Sequence, residues 1–91
     1  MIVRILGEGR YDVPDADLPA IEQLDAALVD AMERGDDAGF VGALADLVGE
    51  VRHSGTRLPH DDFRTSDLVV PHEDATLAEV QALLAEGGPP A

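Results

Sequence analysis

The residues best suited to chemistry sit in two short triplets, His60-Asp61-Asp62 and His72-Glu73-Asp74. Imidazole binds zinc and carboxylates hold hard cations, so each triplet has the side chains a metal would use. The spacing argues against that use. Consecutive loop residues do not readily converge on one ion, and neither triplet has the form of HExxH or of an EF-hand loop. They read instead as solvated loop residues and as carboxylates at a helix start. Gly7-Glu8-Gly9 has the glycines of a phosphate-cradling loop, but a dinucleotide fingerprint needs a helix after it and an extended segment follows here. It reads as a turn. Ser54 and Ser66 lie in no G-x-S-x-G elbow, and chain order supports no triad with the histidines. No catalytic residue, no cofactor and no metal ligand is expected.

The elements around these residues follow from hydrophobic period and punctuation. Ile2-Val3-Arg4-Ile5-Leu6 is short and β-branched, and Gly7-Glu8-Gly9 reverses it into Arg10-Tyr11-Asp12-Val13, which predicts a β-hairpin. The first strand is apolar on both faces apart from Arg4, as a central strand would be, and the second alternates like an edge. Asp15 or Asp17 can cap a helix with Pro19 in its first turn, running to Arg34 with Leu18, Ile21, Leu24, Leu28 and Met32 at helical spacing. Gly35 stops it. Asp36 caps a second helix whose stripe is Phe40, Val41, Leu44, Leu47, Val48 and Val51, ending near His53-Ser54-Gly55 and forming an antiparallel pair with the first.

Residues 56 to 65 read as a loop pinned by Leu58 and Phe63. Asp67-Leu68-Val69-Val70 is a third strand closed by Pro71. Thr76-x-x-Glu79 has capping-box spacing before a final helix with Leu77, Val80, Leu83 and Leu84 as its buried stripe, and Gly87-Gly88-Pro89-Pro90 ends order. The order ββααβα predicts an α+β fold: a small mixed three-stranded sheet, an antiparallel helix pair and a short C-terminal helix. One domain is expected over residues 1–86, with 87–91 a flexible tail.

Nineteen Asp and Glu against six Arg give a formal charge of −13 in 91 residues, a field that repels phosphate backbones and anionic lipid heads. Nucleic acid and direct membrane insertion are therefore disfavoured as partners. No signal peptide or membrane span is read, so a cytoplasmic location is expected.

Three surfaces break a local rule and are candidates for partner binding. Asp25 falls within the apolar stripe of the first helix, between Leu18 and Met32. It reads either as a structural charge bonded to Arg4, Arg10, Arg52 or the Tyr11 hydroxyl, or as part of a stripe that faces a partner. On the outward face of the second helix Gly39, Gly42 and Gly49 cluster with Asp46 and His53, where small residues could let another helix approach. Ile2 and Leu6 point away from Val3 and Ile5, so the second face of the sheet is either covered by the last helix or partly left for another chain, including a second copy in a homodimer.

The opening MIVRILGEGRYDV, the central LDAALVDAMERGDDAGF and the closing SDLVVPHEDATLAEVQALLAEGG together resemble the PspAA family, small companions of phage shock protein A. Arg10 stands where Gln is expected in relatives, a change read as one of surface. The resemblance implies a non-catalytic adaptor in membrane or envelope stress, partnered by a PspA-like coiled-coil, ESCRT-III-like membrane-repair protein that would bring it to the inner face of the membrane. An acidic domain could meet basic stretches on such a partner. The alternative drawn from charge alone is a nucleic-acid mimic or antitoxin-like inhibitor of a basic protein.

Overall fold

The computed structural model describes residues 1–85, with side chains to Leu83. The expected tail at 87–91 and the placement of Leu84 in the last stripe lie outside the described residues. The chain runs β1 (Ile2–Ile5), β2 (Gly9–Asp12), a 3-10 turn at Asp15–Asp17, α1 (Leu18–Arg34), α2 (Asp37–Ser54), β3 (Thr56–Arg57), β4 (Leu68–Val70) and α3 (Leu77–Ala85). The fold is α+β as expected, with one strand more than the sequence suggests. Thr56-Arg57 is too short to show a period, and it pairs with Asp12 and Tyr11 as an antiparallel edge.

The sheet order is β3-β2-β1-β4. β1 pairs antiparallel with β2 and parallel with β4, so it is the interior strand expected of it. Val3 and Ile5 enter the main core with Tyr11, Val13, Val70 and the helix residues Ile21, Leu28, Phe40, Leu44, Leu47, Val48 and Val51. Gly7 takes φ 81° in the hairpin turn, a conformation that favours glycine, and a Cβ there would press on the His72 ring.

The helix boundaries match their punctuation except at the start of α1, where Asp15 and Asp17 lie in the 3-10 turn and Asp17 holds the N-cap position without a side-chain cap hydrogen bond. Pro19 lies in the first turn of α1, and Gly35 ends the helix in the left-handed region. Asp36 caps α2, accepting a 2.9 Å hydrogen bond from the Gly39 N–H. At α3 the Glu79 N–H donates to Thr76 Oγ1 at 3.1 Å, and the Thr76 hydroxyl donates to the Glu79 carboxylate at 3.1 Å.

Three local expectations are corrected. Val41 flanks the α2 stripe and is exposed. Phe63 does not pin its loop, because it is 96% exposed. The pin is Arg10, whose guanidinium donates to the backbone carbonyls of Asp62 and Arg64, so this residue is a brace rather than a surface change.

Candidate functional site

The structure divides the three candidate surfaces. Ile2 is buried, outside the main core cluster, and its N–H donates to the Asp67 carboxylate at 2.8 Å while its carbonyl accepts from the Asp67 N–H at 2.7 Å. By strand alternation it shares the second sheet face with Arg10 and Asp12, which hold Asp62 and Arg64. Cover on that face therefore comes from the loop before β4, whereas Leu77 and Val80 of α3 belong to the main core. Ile2 is therefore buried in the free chain, not open on the second face. Strand period alone could not see this, because the covering loop is polar and held by arginine.

The glycines of α2 separate in the same way. Gly39 is in the first turn, and a Cβ there would run into the capping Asp36 carboxylate. Its role is local. Gly42 and Gly49 face open space, and with the exposed Asp46 and His53 they form a stripe on the outward side of α2. A Cβ at Gly42 or Gly49 would meet no atom within 4 Å, so the α2 backbone is open to solvent at both positions.

Asp25 and Leu6 meet in one groove of ≈ 190 Å³. α1 contributes Asp25, Leu28, Val29 and Met32, α3 contributes Val80 and Leu83, and the sheet side contributes Val69 of β4 with Leu6 and Pro71, which directly follow β1 and β4. The lining is apolar except for the Asp25 carboxylate. Val29 and Val69 are each 43% exposed here, large aliphatic groups left open to water. Each of the proposed intramolecular partners of Asp25 that makes a side-chain bond is engaged elsewhere: Arg10 with the loop, Arg52 and the Tyr11 hydroxyl with Glu8. Among the described residues no hydrogen bond or ion pair reaches the Asp25 side chain, so its reading as a bonded structural charge is corrected.

A second polar assembly, which sequence spacing did not reveal, braces the hairpin. Glu8 in the β1–β2 turn accepts from the Tyr11 hydroxyl at 2.7 Å and from Arg52 Nε at 2.9 Å, and a second Arg52 nitrogen completes a fork on the carboxylate. Arg52 also bonds Glu73 at 3.1 Å, and Arg57 donates to the Glu8 carbonyl at 2.8 Å. The Arg52 bonds, and then the Tyr11 hydroxyl, hold the Glu8 carboxyl down at about 2. The same bond to Glu8, with burial, pushes the Tyr11 phenol up. Every donor in this assembly is directed at a neighbouring part of the chain, so the arrangement ties turn, helix and β4–α3 loop together.

The metal-like triplets are placed without convergence. His60 and Asp61 are exposed, and Asp62 pairs with Arg64 at 2.9 Å, a contact that lowers its pKa. His72 Nδ1 accepts from the Asp74 N–H at 3.1 Å. Among the described residues no three His, Asp or Glu side chains gather as a metal site. No helix among the described residues is long and apolar enough to cross a membrane.

Comparison with known proteins gives one relation. The family model described as PspAA, PspA-Associated protein, matches residues 1–89. No curated protein and no solved structure matches.

Proposed function

The chain belongs to the PspAA family of PspA-associated proteins, and from that premise we propose that it is a non-catalytic adaptor in the membrane stress response, binding a PspA-like coiled-coil protein. The observation that carries this reading is the family match across nearly the whole chain. Two features of the molecule support it. An apolar groove with unsatisfied exposed valines is a surface suited to a protein partner. A formal charge of −13 favours encounter with basic segments and disfavours direct contact with anionic lipid. In this reading the domain works in the cytoplasm and reaches the inner face of the membrane through its partner.

The test is co-purification of the full chain with the PspA-like protein of the same organism, followed by titration at rising salt. Binding that weakens with salt is expected, since exposed charges are screened beyond roughly 8–10 Å at physiological ionic strength. Absence of binding at low salt would overturn the proposal.

A further inference from the structure

We infer that the groove between α1, α3 and the sheet is a docking site for a basic amphipathic helix, which inserts apolar side chains and sets a Lys or Arg against Asp25. The floor is Leu6, Leu28, Met32 and Val80, and its volume of ≈ 190 Å³ suits inserted side chains. Small-molecule and cofactor pockets are larger, roughly 300–1,000 Å³.

The occupant is chosen by the rim. Glu22, Asp25, Val29 and Glu33 follow one another at three- or four-residue steps along α1, so three carboxylates flank Val29 on one ridge. On α3, Glu79 precedes Leu83 by one turn. Glu22, Glu33 and Glu79 are exposed. No cation answers them within these elements: α3 has no basic residue, and the Arg34 side chain of α1 is engaged by Asp30 at 2.9 Å and Asp36 at 3.4 Å. An apolar floor with Asp25 in its wall, flanked by exposed Glu22, Glu33 and Glu79 on the bordering helices and by Arg4 alone beside Val69 on the sheet, complements a helix with an apolar ridge bordered by Lys and Arg. A second copy of this chain would bring acid against acid, and a neutral apolar helix would leave Asp25 without a partner.

This inference deepens the docking reading above, and it is tested so that the two can fail separately. The full chain is titrated with a helical peptide of Leu and Lys in amphipathic register, and in parallel with the PspA-like coiled-coil protein. Val29→Glu adds negative charge at the rim while spoiling the apolar contact, so charge attraction alone predicts tighter peptide binding and groove insertion predicts weaker binding. The expected result is loss of about tenfold or more in affinity for the peptide in Val29→Glu and in Asp25→Lys. Val41→Glu, on an exposed site outside the groove, is expected to bind like the parent. Urea unfolding midpoints close to the parent's establish that the variants fold. Peptide binding that is unchanged or tighter in Val29→Glu, or absent in the parent, overturns the inference whatever the coiled-coil protein does. Loss of peptide binding in Val29→Glu without any binding of the coiled-coil protein keeps the groove and retires the PspA-like partner. A dimer of the free chain that Val29→Glu dissociates would overturn the inference in favour of a second copy.

Discussion

Asp25 of α1 and Leu6 at the end of β1 line the same groove, a carboxylate and a leucine brought together where α1 meets the sheet. A carboxylate placed among aliphatic groups without an internal partner contributes nothing to the fold that Leu could not supply. Asp25→Leu should raise stability by about 1 kcal/mol, from better helix propensity and apolar contact. The same variant should bind the coiled-coil partner more weakly. Urea unfolding and a binding titration on one preparation check both halves, and a gain in stability with undiminished binding would remove Asp25 from the docking site.

Glu8 makes stability depend on acid. Its carboxyl is held at about 2, below the ordinary 4.5, mainly by the Arg52 bonds. A carboxyl with a lower pKa folded than unfolded contributes stability that is full above the unfolded value and is lost as pH falls through the folded one. The contribution should therefore fade between about pH 4.5 and 2. Urea midpoints measured across this range should converge for the parent and Glu8→Gln as pH falls; a constant difference would mean that the carboxylate is not the stabilising form.

The glycines of α2 should respond unequally. Gly42→Ala and Gly49→Ala add a methyl in open space and should each stabilise by about 0.5–1 kcal/mol. Gly39→Ala should gain less, because its Cβ displaces the Asp36 cap. Thermal melts of the three single variants decide the order.

The loop bearing Phe63 is held from below by Arg10. Phe63→Ala should leave stability within about 0.5 kcal/mol of the parent, since an exposed side chain of this kind loses little on truncation. Arg10→Ala should cost about 1–2 kcal/mol, because the Asp62 and Arg64 carbonyls lose their donor. Limited chymotrypsin digestion should cut at Phe63 faster in Arg10→Ala than in the parent.

Much of this fold is legible in residue types, because the deciding effects are local. Gly35, Asp36, Pro19 and the Thr76–Glu79 box act within a turn of themselves, and the structure has each in its expected place. The central position of β1 follows from its apolar residues on both faces. What remained hidden depends on distant pairing. Phe63 reads as buried from its type alone, yet Arg10 holds the loop and leaves the ring in solvent. Glu8 looks like any turn residue until Arg52 arrives from the end of α2. For the groove, sequence supplied Asp25 and Leu6 as separate anomalies; Val29 and Val69 joined them only once α1, α3 and β4 were assembled. The burial of Ile2 was hidden for the same kind of reason, since its partner Asp67 lies in a loop far along the chain.

Methyl NMR of the labelled chain during titration with the PspA-like coiled-coil protein separates docking in the groove from docking elsewhere. Val29, Val69 and Val41 all have exposed methyl groups, but only the first two line the groove. Docking in the groove predicts shifts or broadening at Val29 and Val69 from the first additions, with Val41 unchanged. Perturbation of Val41 with Val29 and Val69 unmoved, or no perturbation at any of the three, would contradict it.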